Sequence, residues 1–457
     1  MSKKQPKPLT GISLRPASEL DAGPRKRAPR QPAVILLPDS GHIPVLEEPL
    51  PVVSERASPT GPGREHAVPR EELERYVALA GPHCGQVLAE TTSRHLVPRD
   101  LRLRPAESVP LFLTEESPAI PFVDRPDHER SPLHWGQMKL FASELWFLTN
   151  CTDACSGAPV VVVYAGAAPG HHIPYLAGLF PSCVFRLYDP ADYCPALARN
   201  PPANVSVTKD FFTEEVAKQL AEELKGTDFV FISDIRTGKE EDYVKVDMDR
   251  QEGWMKTLDP RVSMVKFRLP WQPGKTKYPD GRVLLGTYHP LTSTESRLIV
   301  PRGSPVREYD NTEYEQQCAF HNTVGRVYAY DHGVVAEGLD HCHDCTALTA
   351  IAKEYLRRVG GEHDPPAIGK FIAATCEAFG TGRTLATEYA PSSNRSKKQF
   401  PRRDYSGDQL KVERRGRGGH GGRGGHGGRG GRGDPPISET ALKAAKEMAK
   451  SLQSNTH

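Results

Sequence analysis

This sequence predicts an α/β domain with a central, mostly parallel sheet and flanking helices, and three observations predict it. Apolar runs alternate with amphipathic stretches from about residue 111 to 381. The run VVVVYA at 160–165 passes through Gly-Ala-Ala-Pro-Gly into a stretch with Ile173, Leu176, Leu179 and Phe180 at helical spacing. Two more runs, FVFIS at 229–233 and MVKF at 264–267, have the near-continuous apolar character of strands covered on both faces.

Taken along the chain, residues 33–105 are Pro-rich, with one helical candidate, EELERYVALAG, from Glu71 to Gly81. WGQMKLFASELWFL at 135–148 predicts an amphipathic helix just before the first core strand. Pro174 sits in the first turn of the following helix, where its missing N–H does no harm. A second strand, VFRLYD, ends at Asp189, 23 residues after Gly166. FVFISDIRT places Asp234 and Arg236 at a third strand's end, MVKFRLPW embeds Lys266 in a fourth, and STESRLIV at 293–300 sets Glu295 at the start of a fifth. HCHDC at 341–345, with His321, His332 and Cys318, has metal-ligand composition. Structural zinc, however, takes paired ligands from two knuckles. Here one Cys-x-x-Cys runs straight into TALTAIAKEYLRR, so the segment reads as a helix crossing the sheet and no metal is expected.

The formal charge of +2 hides a segregation: residues 1–32 carry +6, 391–433 carry +9 and 434–457 balance, which leaves −13 for 33–390. Both basic ends are poor in large apolar residues, and Gly with Pro makes up about 18% of the chain, so neither end can offset its ordering entropy. The expected organisation is a mostly disordered basic and Pro-rich region over 1–105, an α/β domain over 106–382, a disordered basic arm over 383–433 and a short helix within 434–457. The arm repeats RGGHGG from Arg417 and Arg423, a pattern suited to RNA phosphates and bases or, more simply, a solubilising linker. PRKRAPR at 24–30 fits a nuclear-import signal or an ordinary basic cluster of a tail, and a nuclear location is the expectation. No apolar stretch approaches the roughly 20 residues of a membrane span. Nine scattered cysteines fit a reducing compartment.

The Gly-containing turn between a buried strand and a helix is how doubly wound folds bring backbone close to a nucleotide-like ligand, and the Asp189 spacing suits an acid on two ribose hydroxyls. GAAPG is neither the dinucleotide GxGxxG nor a P-loop. A plain strand–turn–helix remains open on that turn alone; S-adenosylmethionine, which has no phosphate, suits so short a Gly-x-x-x-Gly loop.

GQMKLFASELWFL, VVYAGAAPGHHIPYL, FISDIRT, MVKFRLPW, STESRL and EYEQQ occur in this order across about 135–380. The set resembles the cap-specific mRNA 2′-O-methyltransferases of the poxvirus type and their kinetoplastid relatives. That resemblance implies a Rossmann-like, S-adenosylmethionine-dependent methyltransferase acting on capped mRNA. It implies a catalytic set of Lys139, Asp234, Lys266 and Glu295, with Lys266 as general base. It implies cofactor contacts from Gln137, Tyr164, Gly166, Gly170, His172, Asp189, Asp234 and Phe212, and a cap pocket of Trp271, Glu315 and Phe122 with Arg236, Arg268 and Arg297 nearby. The family's basic residue two positions after the ribose acid is here Ala191. Residues 256–307 carry ten Lys/Arg against three acids, a block expected to follow the RNA backbone together with the RGG arm. Two alternatives stand beside this: an RNA-binding or processivity subunit with a vestigial fold, suggested by the poxvirus relative's part in poly(A) synthesis, and a 2′-O-methyltransferase of uncapped RNA.

Overall fold

The computed structural model describes residues 70–85, 102–122, 135–238, 241–380 and 384–385. PRKRAPR, the RGG arm and the expected C-terminal helix lie outside the described residues.

The elements, in chain order, are α1 (Arg70–Ala80), β1 (Arg104–Pro105), β2 (Phe112–Leu113), α2 (Gly136–Cys151), β3 (Val160–Ala165), α3 (Ile173–Leu179), β4 (Cys183–Tyr188), α4 (Pro195–Arg199) and β5 (Val205–Thr208). They continue as α5 (Glu214–Glu223), β6 (Phe229–Ser233), α6 (Glu241–Leu258), β7 (Val262–Phe267), β8 (Lys275–Pro279), β9 (Arg282–Leu284), β10 (Ser296–Pro301) and β11 (Val306–Asp310). The last are α7 (Asn311–Thr323), β12 (Tyr330–Asp331), α8 (His343–Arg358) and α9 (Pro365–Ala378).

One eight-stranded sheet organises them, in the order β2-β9-β10-β7-β6-β3-β4-β5. From β7 to β5 the pairing is parallel, whereas β10, β9 and β2 add an antiparallel flank. Every residue of β6 and β7 is buried, as expected of parallel strands covered on both faces. On one face Val163, Phe231 and Val265 pack with Leu220, Met248 and Trp254 of α5 and α6. On the other, Tyr164 of β3 meets α2, and α2 in turn packs on α8.

The chain leaves β3 toward β4 on one side and returns to β6 on the other, so the strand order reverses between β3 and β6. Ligands of open α/β sheets bind in the crevice at such a switch point, beyond the carboxyl ends of the strands. Gly166 follows β3 there with φ +83°, and a Cβ on it would meet Ile235 N at 2.8 Å and the Asp234 carbonyl carbon at 2.9 Å. The turn after β3 can therefore lie against the end of β6 only because residue 166 is glycine.

The expected boundary at 105/106 is corrected. Tyr76 and Ala80 of α1 are buried, the Tyr76 hydroxyl donates to the Val327 carbonyl at 2.8 Å, and β1 pairs in parallel with β12. Residues 70–85 and 104–105 belong to the folded body, because apolar positions of α1 complete a surface built some 250 residues later. No described helix is long and apolar enough to cross a membrane, and none of the nine cysteines forms a disulfide.

Substituting Gly166→Ala combines a left-handed backbone with a backbone clash, so we expect a loss of about 1–3 kcal/mol. Urea unfolding followed by circular dichroism checks it: the midpoint should fall with an unchanged m value.

Candidate functional site

β6 ends with Ser233 paired to Val265 of β7, so Asp234 emerges beside Lys266. β10 runs antiparallel to β7, with Arg297 directly opposite Lys266. Its N-terminal end thus reaches the same sheet edge, and Glu295 joins the carboxyl ends of β6 and β7. Lys139 arrives from the first turn of α2, which crosses above.

The four side chains form one connected cluster. Lys139 Nζ lies 2.6 Å from Glu295 Oε1, and Lys266 Nζ lies 3.0 Å from Asp234 Oδ1 and 3.6 Å from Glu295 Oε2. Arg297 contributes a fifth group, with Nη2 2.5 Å from Asp234 Oδ1 and Nη1 3.3 Å from Glu295 Oε1. Arg236 stands 4.0 Å from both Glu295 and Asp247.

Burial pushes the Asp234 and Glu295 carboxyls up, but the surrounding cations prevail and hold both below the ordinary carboxylate range. For Asp234 these are Lys266, Arg297 and Lys139; for Glu295 they are Lys139, Lys266 and Arg297. Lys266 moves the other way for an ion-paired lysine. Burial lowers its ammonium below the usual value despite the opposing pull of Asp234 and Glu295. The cluster can therefore release a proton from Lys266 more readily than free lysine would, while its two carboxylates stay ionised.

Around the turn, Asp189 stands at the end of β4, with Oδ2 accepting the Ala168 N–H at 3.0 Å and Oδ1 the Ala191 N–H at 2.8 Å. The backbone of Ala191 thus braces the acid where the family resemblance implies a basic residue. Gly170 has φ +63°, and a Cβ on it would crowd the Ala167 carbonyl at 2.9 Å. Gln137 Oε1 accepts from the His172 backbone N–H and lies 2.8 Å from His172 Nδ1.

Several expected roles are corrected. His172 is fully buried, with Nε2 2.9 Å from Glu144 Oε2, so its ring anchors the turn to α2 and offers no face to a ligand. The Tyr164 hydroxyl donates to Glu144 Oε1 at 2.7 Å, which makes that side chain a strut beneath the site. Phe212 is enclosed by Tyr188, Phe231 and Trp254, at ring-centroid distances of 5.2, 5.7 and 4.9 Å, and so belongs to the core. Arg297, expected near the cap, is 4% exposed and consumed by Asp234 and Glu295. Acids also stand among the cations of the basic block. Arg261, Arg302 and Arg307 pair with Asp153, Asp259 and Glu115, and Lys275 and Lys277 approach Glu308.

Trp271 is 51% exposed, and the Arg268 guanidinium carbon lies 3.9 Å from its ring centroid. Arg268 also pairs with Glu241, whose Oε2 accepts the Trp271 backbone N–H at 3.0 Å. Glu315 is half-buried; burial raises its carboxyl against the opposing Arg268 cation. Phe122 is half-buried two residues beyond Ile120, whose N–H donates to the Gln316 carbonyl next to Glu315. Trp271, Arg268 and Glu315 thus share one region, bordered by the segment that carries Phe122.

Sequence reasoning missed Glu144 and Asp247. Glu144 is the one charge between Lys139 and Asp153, a carboxylate stranded in an apolar helix, and that isolation was a usable signal. Asp247 accepts from the Thr237 N–H at 2.8 Å and the Thr237 hydroxyl at 2.9 Å, fixing the loop that carries Arg236. Nothing in the exposed-looking helix sequence around it marks it.

The site is thus a switch-point crevice of an α/β sheet, with a Gly-hinged turn, a braced acid and a buried, ion-paired lysine. The family described as "Poly A polymerase regulatory subunit" matches residues 124–343. A fowlpox virus protein named cap-specific mRNA (nucleoside-2′-O-)-methyltransferase is 32% identical over 214 residues, 41% of this chain and 67% of that protein. The myxoma virus (strain Lausanne) protein of the same name is 29% identical over 211 residues, 42% of this chain and 62% of that protein. This chain belongs to the family of those poxvirus proteins, and it spans about three fifths of the length of the myxoma relative. The solved structure of bluetongue virus VP4, titled an RNA-capping production line, aligns at 12% identity and a TM-score of 0.31 over 52% of this chain and 41% of that one. That likeness is too slight to bear on the fold.

Arg297→Met leaves two buried carboxylates short of a partner, and we expect a loss of about 3–5 kcal/mol in urea unfolding near neutral pH. Because the folded carboxyls are depressed, the stabilisation they carry is complete above their unfolded values near ~4 and is lost as pH falls through the folded ones. The wild-type advantage over Arg297→Met should accordingly shrink on acidification below about pH 4.

Proposed function

We propose that this protein methylates the ribose 2′-hydroxyl of a nucleotide beside the 5′ cap of mRNA, using S-adenosylmethionine. The observation that carries the reading is the gathering of Lys139, Asp234, Lys266 and Glu295 at one sheet edge, beside the Gly166 turn.

The donor set suits that cofactor. Residues 164–172 contain no Lys or Arg to answer a phosphate, while Asp189 and Gln137 supply an acceptor for ribose hydroxyls and a carboxamide beside the turn. When bound, S-adenosylmethionine supplies a sulfonium methyl that passes to the ribose oxygen, leaving S-adenosylhomocysteine. Lys266 takes the hydroxyl proton on Nζ as the O–CH3 bond forms and the S–CH3 bond breaks, and later passes it to water. Asp234 and Glu295 orient that amine, and Lys139 holds positive potential beside the oxygen. Trp271 offers a face to a positively charged 7-methylguanine, and Glu315 an acceptor for its N–H edge. A nuclear location belongs to the same reading and rests on PRKRAPR.

Methyl transfer from labelled S-adenosylmethionine to capped RNA tests this. Lys266→Ala and Lys266→Arg should each reduce the rate by at least about 10²-fold with unchanged circular dichroism, since neither can accept the proton. Transfer should be lost as pH falls, because Lys266 acts only when neutral, with an apparent pKa below ~10.4. Undiminished turnover by Lys266→Ala would sink the assignment. RNA binding without any turnover would favour the subunit role that the matched family's description suggests. Free 7-methylguanosine cap analogue should inhibit, and Trp271→Ala should weaken that inhibition; no inhibition at all would favour an enzyme of uncapped RNA.

A further inference from the structure

Remote from the Lys-Asp-Lys-Glu cluster in the chain, the Cys-x-x-Cys of HCHDC meets residues that no sequence window places beside it. Cys342 caps α8, and its Sγ accepts the Cys345 N–H at 3.4 Å, the kind of N–H···S bond that stabilises a thiolate at a helix start. Just before them, Asp340 directs Oδ2 at the N–H groups of His83 and Cys84, at 2.7 and 3.2 Å, while Oδ1 accepts the Cys342 N–H at 3.0 Å. His83 arrives from the helical turn 82–85 that follows α1, across 257 residues of chain.

The donor atoms of His83, Asp340, Cys342 and Cys345 all lie within 4.8 Å of one another, and all four residues are buried. His83 Nδ1 is 3.3 Å from Cys345 Sγ and 3.4 Å from Asp340 Oδ1. An ion with bonds of about 2.0–2.3 Å at the centre of a tetrahedron keeps its ligands roughly 3.3–3.8 Å apart, and the two separations from His83 Nδ1 fall in that range. The orientation of His83 is a second, independent observation. Its Nε2 lies 3.0 Å from the Leu385 carbonyl, an acceptor, so that nitrogen carries hydrogen. A protonated ring would form an ion pair with Asp340 through Nδ1, whereas a neutral one presents its Nδ1 lone pair to the point on which the carboxylate oxygen and the sulfur also converge. Metal-bound histidines are held in this way, with the far nitrogen donating to a backbone carbonyl.

We propose that His83, Asp340, Cys342 and Cys345 bind one zinc ion that fastens residues 70–85 to the α/β domain. Two thiolates, an imidazole and a carboxylate are a zinc donor set, and four protein ligands buried from solvent make a closed, structural site. The site does not depend on the methyl-transfer reading. It also supplies the second half of the ligand pair whose absence argued against metal in the sequence: the partner of the Cys-x-x-Cys is a lone histidine in the Pro-rich lead-in.

The test is metal analysis by mass spectrometry on the full chain, purified without chelator and folded by circular dichroism. About one zinc per chain is expected. His83→Ala and Cys345→Ser should lose it, whereas Cys318→Ser, whose thiol faces the Thr294 carbonyl, should keep it. Cobalt(II) substitution should give thiolate charge-transfer absorption that Cys345→Ser lacks, and a strong chelator should lower the melting temperature of the wild-type chain. Folded wild-type protein without stoichiometric zinc would overturn the proposal. So would a Cys342–Cys345 disulfide, or zinc that a chelator strips with no change in melting.

Discussion

Two cations sit face to face across antiparallel strands: Lys266 of β7 is paired in register with Arg297 of β10, and both are buried. Like charges directly opposite one another in a sheet repel, more so away from water. The sheet edge is tolerable only because Asp234 and Glu295 insert between them, and much else follows from that requirement. Asp234 must leave β6 at the residue after Ser233, Glu295 must come immediately before β10, and α2 must bring Lys139 down onto the second carboxylate. The two carboxylates that keep β10 beside β7 thus also oppose the burial that depresses the proton affinity of Lys266.

The layers on either side hold this balance in place. Beneath β3, the Glu144 carboxylate receives the Tyr164 hydroxyl and faces His172, which ties the Gly166–Gly170 turn to the helix carrying Gln137 and Lys139. A shift of α2 would therefore move the turn and the lysine together. On the opposite side Asp247 fixes Thr237, and so the loop that brings Arg236 toward Glu295. Buried polar groups that are fully paired specify one geometry, and these lie where a displacement of about an ångström would matter most.

The core strands, the glycine turn and the convergence of Lys139, Asp234, Lys266 and Glu295 were legible in the sequence. Strand hydrophobicity is local, and the four polar residues fall at strand or helix ends in a recognisable order. What was not legible depends on pairings distant in the chain. Phe212 reads as a ring beside a pocket until Trp254 and Phe231 close over it. Arg297 reads as a substrate contact until the antiparallel register turns it inward. The basic block looks continuous as a string of letters, yet Asp153, Glu115 and Glu308 are carried in from elsewhere to answer it. The boundary at 105/106 failed for the same reason, since the surface that buries Tyr76 is assembled by residues far downstream.

The contact between Arg268 and Trp271 bears on recognition in a way that its geometry alone does not reveal. An indole's negative potential is finite, and a guanidinium resting on one face draws on it. In the proposed function, a methylated, cationic base must either dislodge that arginine or share the ring with a like charge, and the Glu241 carboxylate, paired with the arginine, holds it in place. The resting state would then act as a threshold. A neutral guanine, gaining little from the ring, would be too weak a competitor to cross it, so discrimination between the two bases would arise from what already occupies the tryptophan as well as from the tryptophan itself.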